Sequence, residues 1–284
     1  MLTVLLRMLA LLPLALFHGT GALLGWGGYL ASPRYAARLR ENLRQSGLFR
    51  DEAEYRAMLR RAVGEVGKGA LELIPVWFRR DAARLVRGCD NLYLVEEAQQ
   101  AGHGIIFLTP HLGCFEVSAL FAAQRMPITV LYRPPKLRWL EPLMATGRSG
   151  MTLAPTDLRG VRLLLKALKR GEAVGLLPDQ APGMGEGEWA DFFGRPAYTM
   201  TLAGRLQQAT GATVILAFAE RLQWGRGYHI RLQAFSGEAT PRAVNAAVEQ
   251  LVRINPPQYL WSYNRYKVPK GAAPATLPEP GSTS

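Results

Sequence analysis

Residues 104–116 read GIIFLTPHLGCFE and contain the change from strand to helix that decides the fold. The run GIIFLT, at 104–109, is short and apolar, as is typical of a buried strand. Pro110 ends it, and an amphipathic helix is predicted over 113–124. A strand that passes directly into a helix indicates an α/β architecture, in which ligands bind at the loops that leave the strand ends.

The same alternation of strands and helices extends on both sides of this stretch. Further strands are predicted at 127–132, 151–154, 172–178, 212–220 and 228–235, and further helices at 137–148, 157–170, 199–210 and 241–254. Upstream, helical periodicity covers 34–46 and 51–78, with Pro75 expected to end or kink the second helix. We therefore expect an α/β fold with a mixed sheet flanked by helices.

The amino terminus carries an uncharged apolar stretch at 8–30, whose length of about 20 residues is enough to cross a bilayer. We predict a membrane anchor at 1–31, a catalytic domain at 32–268 and a disordered tail at 269–284, which is rich in Pro, Gly, Ala and Ser. Arginines are denser after the apolar stretch, so the domain should face the cytoplasm. Pro13 favours the alternative of a buried or interfacial helix.

The charge balance points to an anionic partner, because 34 Lys and Arg against 22 acidic residues give a net charge of +12. The chain has no zinc-finger spacing or RNA-recognition signature, so a membrane surface is favoured over nucleic acid. Cys89 and Cys114 are the only cysteines, which fits a reducing compartment. His103 and His229 lack neighbours at metal-ligand spacing, so no metal site and no cofactor are expected.

His111 follows the end of the predicted strand, and Glu116 stands in the first turns of the following helix. On one continuous helix, positions five apart would face about 140° apart. Gly113 permits a turn that brings them together, and we expect a direct hydrogen bond. A histidine held by a carboxylate can take the proton of a hydroxyl. The alternative is a merely structural His111, with Glu116 favouring the helix dipole.

Further motifs accompany this pair, in chain order: ENL at 41–43, TPHLGCFE at 109–116, YRP at 132–134, Arg148, LLPDQ at 176–180, FFGRPAYT at 192–199 and PPQYLWSYNRYK at 256–267. Over nearly the whole chain the sequence resembles the bacterial lipid A biosynthesis acyltransferases, the lauroyl and myristoyl transferases. The resemblance implies a fold like that of the glycerolipid acyltransferases. That family usually has Asn and Trp where this chain has Cys114 and Phe115.

The resemblance assigns roles to five residues. It makes His111 the general base and Glu116 its catalytic partner, the two acting as a unit. Arg148 matches the essential arginine and would bind a lipid phosphate or the developing oxyanion. Arg133 and Asp179 match motif positions and are expected to bind substrate, although Asp179 could instead order its loop.

The activity implied is transfer of a fatty-acyl group from a thioester to a hydroxyl of a lipid A precursor. Acyl carrier protein is the expected donor, with coenzyme A thioesters as the alternative, at the cytoplasmic face of the inner membrane. Other acceptors are a different glycolipid, ornithine lipid or lysophospholipid. A non-catalytic lipid-binding protein is the alternative of another class, favoured by a solvent-sealed His111. Cys114 could serve as an acyl-enzyme nucleophile, but more often such a cysteine packs as a small apolar residue.

Overall fold

The computed structural model describes residues 2–135 and 137–275. The amino-terminal part is helical, with α1 (Leu2–Leu9), α2 (Leu14–Ala31), α3 (Pro33–Gln45), α4 (Glu52–Leu71) and α5 (Leu73–Phe78). The strands that follow are β1 (Val86–Asp90), β2 (Ile105–Leu108), β3 (Ile128–Tyr132), β4 (Thr152–Pro155), β5 (Ala173–Leu176), β6 (Gly187–Phe192), β7 (Arg195–Met200), β8 (Thr213–Arg221) and β9 (Tyr228–Ala234). Between and after them lie α6 (Tyr93–Ala101), α7 (Phe115–Ala123), α8 (Glu141–Gly147), α9 (Leu158–Lys169), α10 (Leu202–Thr210) and α11 (Pro241–Ile254).

Seven strands form one mixed sheet in the order β1-β9-β8-β2-β5-β3-β4. All neighbouring pairs are parallel except β8 and β9, which form an antiparallel hairpin. Buried side chains cover both faces of the sheet, as a parallel sheet between helices requires. The predicted α/β class with a mixed sheet is confirmed. The sequence analysis did not anticipate β1, α6 or the separate hairpin of β6 and β7.

The apolar amino terminus forms two helices rather than the single anchor helix predicted over 8–30. α1 and α2 are bent by 107° at the break before Pro13, whose ring disfavours helical geometry in the preceding residue. Within 2–135 and 137–275, no single helix is long and apolar enough to cross a bilayer. Only the bent pair of α1 and α2 passes that test of length and composition.

One face of α2 packs closely on α4 through glycines. A Cβ built on Gly67 would lie 1.9 Å from the carbonyl oxygen of Gly21, and one on Gly25 would lie 2.4 Å from that of Val63. Backbones can approach this closely only where side chains are absent. His18, which lies within the predicted anchor at 1–31, is buried on the same face of α2. α2 is thus packed against the rest of the chain, and the boundary at 31/32 stays a prediction.

The structure also bears on the predicted helix at 51–78 and on the predicted tail at 269–284. The long helix at 51–78 is interrupted at Glu72, between α4 and α5, because the ring of Pro75 clashes with a helical carbonyl four residues earlier. The expected kink is confirmed. Of the predicted disordered tail, residues 276–284 lie outside the described residues, while the carbonyl of Ala273 accepts a hydrogen bond from Trp189 Nε1 at 3.0 Å.

Candidate active site

His111 and Asp179 form a hydrogen-bonded pair at the carboxyl edge of the sheet. The side chain of Asp179 accepts two hydrogen bonds from His111, at 2.8 Å from Nδ1 and at 2.9 Å from the backbone amide. The His111 side chain is 12% exposed, and that of Asp179 is 3% exposed. The imidazole is therefore fixed by a buried carboxylate while remaining accessible.

The parallel pairing of β2 and β5 explains why these two residues meet. Leu108 is aligned with Leu176 at the ends of the two strands, and the amide of Thr109 extends the ladder to the carbonyl of Leu176 at 2.9 Å. His111 and Asp179 each follow a strand end by three residues. Because parallel strands end at one edge of the sheet, their side chains converge there.

The two hydrogen bonds of the imidazole define its tautomer. A carboxylate only accepts, so Nδ1 of His111 carries the proton shared with Asp179. Nε2 then has a free lone pair, toward which the side-chain amide of Gln180 donates at 3.1 Å. In the neutral form of the ring, the basic nitrogen is therefore Nε2, which faces away from Asp179.

The charge of Asp179 depends on its surroundings. Burial by itself would raise its pKa, but the charge of His111 and its two hydrogen bonds, with the charge of Arg265, lower the pKa below its ordinary value. Arg265 is itself buried and is held by the carbonyl of Tyr198 at 2.7 Å and by Thr199 Oγ1 at 2.5 Å. The partner of His111 is thus an ionised carboxylate at neutral pH.

The turn after His111 is held by the carboxyl-terminal motif. The carbonyl of His111 accepts from the amide of Leu260 at 3.0 Å, and the amide of Gly113 donates to the carbonyl of Gln258 at 3.1 Å. Gly113 has φ +61, and a Cβ there would lie 2.0 Å from the carbonyl oxygen of Ala219. The predicted need for glycine at 113 is therefore confirmed. Trp261, in the same motif, is buried in the core.

Glu116 has partners other than the one expected. Its carboxylate accepts from Arg148 Nε at 3.0 Å, from Arg148 Nη2, and from Trp77 Nε1 at 3.0 Å. Arg148 directly follows α8, where Gly147 lies close enough to Trp77 that a Cβ would be 2.2 Å from the indole. Within the described part of the chain no hydrogen bond joins His111 to Glu116. The expected direct contact is corrected to two pairs, His111 with Asp179 and Glu116 with Arg148.

His111 and Glu116 nevertheless belong to one site, because both line a pocket of about 270 Å³. The pocket opens between the turn after β2 and the end of α4, with Val66, Leu73 and Leu260 as part of its apolar wall. Phe115 also lines it, with its ring 4.9 Å from that of His111, centroid to centroid. An apolar pocket with a few convergent polar groups is typical of a ligand site.

The remaining candidates occupy different settings. Arg133 is exposed just beyond β3, at the same edge of the sheet as His111, but joins neither of the two pairs. Cys114 is buried, and burial raises the pKa of its thiol well above the ordinary value. A thiol that resists ionisation is a poor nucleophile. His103 is exposed at the surface, and His229 bonds Asp90 at 2.7 Å.

A buried ion pair forms part of the lining of the same pocket, and sequence reasoning missed it. Arg221 bonds both oxygens of Glu72 at 2.7–2.9 Å and donates to the carbonyl of Gly113 at 2.7 Å. Glu72 Oε2 also lies within hydrogen-bond distance of His18 Nε2, at 3.2 Å, and accepts a hydrogen bond from the hydroxyl of Tyr228 at 2.9 Å. This network ties α2, α4 and β8 to the turn that carries His111.

Some of these residues had a sequence signal and others had none. Gln180 stands beside Asp179 in LLPDQ, so the motif drew attention to its position without giving it a role. Glu72 is the single charge in the apolar run ALELIPV, which is a signal for a buried charge, whereas Arg221 stands beside Glu220 at the end of the run ILAFAERL. Trp77, the donor to Glu116, had no signal of its own.

Comparison with known proteins identifies the family to which the chain belongs. The family model described as bacterial lipid A biosynthesis acyltransferase matches residues 1–268. The lipid A biosynthesis lauroyltransferase of Escherichia coli K12 is 26% identical over 274 residues, which is 92% of this chain and 88% of that protein. The palmitoleoyltransferase of the same organism is 26% identical over 213 residues, 71% of this chain and 69% of its own. A lipid A biosynthesis acyltransferase of Haemophilus influenzae is 25% identical over 276 residues, 92% and 87% of the two chains. The chain belongs to the bacterial lipid A biosynthesis acyltransferase family.

Proposed function

We propose that this protein transfers a fatty-acyl group from an acyl thioester to a hydroxyl of a lipid A precursor, with His111 as the general base and Asp179 as its partner. The observation that carries this assignment is the pair of hydrogen bonds from His111 to Asp179, which holds Nδ1 as a donor and makes Nε2 the nitrogen that can take a proton. The relatives named above are lipid A acyltransferases, which supports the acceptor class.

The transfer step follows from the geometry of the imidazole. The acceptor hydroxyl takes the place of the Gln180 amide at His111 Nε2, which draws its proton as the oxygen attacks the thioester carbonyl. The carbon–sulfur bond then breaks, and Nε2 returns the proton to the leaving thiolate. Asp179 holds the tautomer and stabilises the imidazolium between these events, as the carboxylate does in a serine-protease triad.

Glu116 takes a different role in this scheme from the one that the resemblance implies. It clamps Arg148 with two hydrogen bonds, which orients the guanidinium beside a carboxylate that lines the pocket. A guanidinium fixed in this way is suited to a phosphate of the acceptor or to the oxyanion that forms during acyl transfer. Glu116 is then a positioning residue for Arg148. Arg133, which follows the end of β3 at the same edge of the sheet as His111, is assigned to substrate binding.

Acyl carrier protein is the donor that we propose, because it is acidic and the chain has a net charge of +12. The cytoplasmic face of the inner membrane is the location that we propose, because arginines are denser after the apolar stretch at 8–30. The non-catalytic alternative expected a solvent-sealed His111. The position of His111 in the wall of a pocket favours an enzyme instead.

The experiment is transfer of labelled acyl chains from acyl carrier protein to a purified lipid A precursor. We expect His111→Ala to lose about 10²–10⁴ in rate, the usual contribution of a general base. His103→Ala is the matched control, because this histidine is exposed and lies outside the pocket. Full activity of a well-folded His111→Ala variant would contradict the proposal. Transfer to lysophospholipid but not to the lipid A precursor would show that lysophospholipid is the acceptor instead.

A further inference from the structure

Three segments outside the active site expose large apolar side chains to solvent. They are residues 2–16, 137–140 and 222–227, which we call the apolar corner. Its exposed large apolar residues are Leu2, Val4, Leu5, Met8, Leu9, Leu11, Leu12, Leu16, Leu137, Trp139 and Trp224. Trp224 is 85% exposed and Trp139 is 60% exposed. Contiguous apolar surface of this kind marks an interaction site.

The three segments contact one another although they are far apart in sequence. Leu140 packs in a small cluster with Leu6 of α1, around the buried Ala10. On the other side, the tip of the β8–β9 hairpin lies on the first turn of α2. A Cβ on Gly225 would be 2.3 Å from the amide nitrogen of Ala15. The corner is therefore one surface, centred on the bend between α1 and α2.

The charges of the apolar corner are all of one sign. None of its three segments contains Asp or Glu, and each carries one exposed arginine, namely Arg7, Arg138 and Arg226. Tryptophan and arginine around an apolar surface are the side chains favoured at the boundary between hydrocarbon and anionic headgroups. A second copy of the chain fits less well, since a two-fold contact would bring the same arginines against one another.

The apolar corner also adjoins the active site. Trp77 packs in the same small cluster as Leu6 and Leu140, and its indole nitrogen donates to Glu116. Glu116, which lines the pocket, in turn holds Arg148. A surface that contacts lipid at this corner would place the guanidinium of Arg148 next to the headgroups.

We propose that the apolar corner docks the protein on the interface of an anionic lipid leaflet, with Trp139 and Trp224 as contacts separate from the amino-terminal helices. The inference rests on the proposed function for its purpose, since docking here brings a lipid acceptor to Arg148. Attachment is then interfacial, because α2 keeps one face against α4 while α1 and the two tryptophans meet the bilayer.

The test uses the full chain, purified in detergent and diluted onto vesicles of phosphatidylethanolamine with phosphatidylglycerol. We expect the double variant Trp139→Ser with Trp224→Ser to lower the vesicle partition coefficient about tenfold or more. Leu158→Ser is the matched control, because Leu158 is 75% exposed on α9, which packs on the other face of the sheet. It should change partitioning less than about twofold.

Charge and depth are tested separately. Arg7, Arg138 and Arg226 changed together to Gln should weaken binding to the anionic vesicles and leave binding to phosphatidylcholine vesicles the same. Brominated lipid should quench the tryptophan fluorescence of the wild-type protein more than that of the Trp224→Phe variant. Unchanged partitioning of the double tryptophan variant, or equal quenching, would overturn the proposal. So would a dimer without vesicles that the tryptophan changes dissociate, because a second copy would then occupy the corner.

Failure of the docking surface and failure of the proposed function give different results. If docking is right, the double variant transfers acyl chains to a micelle-dispersed acceptor within about threefold of wild type, but loses transfer to an acceptor in vesicles. If the function is wrong, wild-type protein transfers no acyl chain in either system, while the tryptophans still govern vesicle binding.

Discussion

Asp179 binds His111 at two atoms, Nδ1 and the backbone amide, and so fixes both the ring and the turn that carries it. Because the carboxylate is buried and ionised, it specifies the tautomer with a free Nε2. Asp179→Asn should therefore leave the fold intact but lower kcat by about 10²–10⁴, since an amide can reverse the tautomer. Acyl-transfer rates and thermal melting of the same preparation check this. Near-normal kcat would make Asp179 a loop-ordering residue only.

Cys114→Ala should retain most of the activity. The thiol is buried, its pKa is raised by burial, and direct transfer from thioester to hydroxyl needs no acyl-enzyme. The measurement is steady-state transfer, with mass spectrometry for any acylated protein after rapid quenching. An acyl group on Cys114 together with an inactive, folded Cys114→Ala variant would replace direct transfer with a covalent route.

Glu72 should make the free energy of unfolding depend on pH. Burial acts to raise its pKa, but the charge of Arg221 and the hydrogen bonds from His18 and Arg221 prevail and lower it from 4.5 to about 2. A carboxyl group whose pKa is lower in the folded than in the unfolded protein makes its full contribution to stability above the unfolded pKa. That contribution is lost as the pH falls toward the folded pKa. We expect a loss on the order of 3 kcal/mol between pH 4.5 and 2.

The comparison for this prediction is Glu72→Gln, in which the melting temperature should be lower at pH 7 and vary less with pH below 5. The buried Arg221 then lacks its counter-charge, which is costly in itself. The same acid dependence in wild type and Glu72→Gln would show that other carboxyl groups dominate acid unfolding.

Gly67→Ala should destabilise the protein, because the new methyl group would collide with the backbone of α2 at Gly21. Forcing atoms into a packed contact typically costs about 1–3 kcal/mol. Gly28→Ala is the matched change within α2, since no atom lies within 4 Å of its added Cβ. That variant should be neutral or slightly more stable, because alanine is the better helix former. Denaturant unfolding of both variants gives the comparison, and equal stability would mean that α2 is not packed on α4.

Arg148→Lys should lower kcat/KM about tenfold or more while changing the melting temperature little, because lysine cannot reproduce the two hydrogen bonds to Glu116. Arg162→Lys, an exposed change on α9, is the control and should behave as wild type. The measurement is acyl transfer over a range of acceptor concentrations. If Arg148→Lys matched wild type, charge alone at this position would be sufficient and the clamp by Glu116 would be incidental.

The strand, turn and helix at 104–124 could be predicted because each rests on local chemistry: an apolar run, Pro110, and Gly113 where the backbone needs positive φ. The partners of the charged residues could not. His111 and Glu116 are five positions apart in sequence, whereas Asp179 comes close to His111 through the pairing of β2 with β5. A sequence motif shows local neighbours, and the register of a parallel sheet decides distant ones.

The amino terminus illustrates the same limit. Its composition permits a membrane span, and Pro13 was visible as a weakness in that prediction. From the sequence alone, the glycines of α2 only weaken the predicted membrane span. Their close contact with α4 becomes visible only when both helices are placed in the structure. Burial of His18 against Glu72 likewise depends on a contact between residues 54 positions apart.

A double-mutant cycle on acyl transfer tests most directly whether Asp179, rather than Glu116, is the partner of His111. The cycle compares His111→Ala with Asp179→Asn, and His111→Ala with Glu116→Gln, each singly and together. Residues that act as a unit give strongly non-additive losses. We predict that adding Asp179→Asn to His111→Ala costs little further, whereas adding Glu116→Gln lowers the residual rate by nearly its full separate effect. The reverse, with Glu116 silent once His111 is gone and Asp179 additive, would contradict the account and restore Glu116 as the partner of His111.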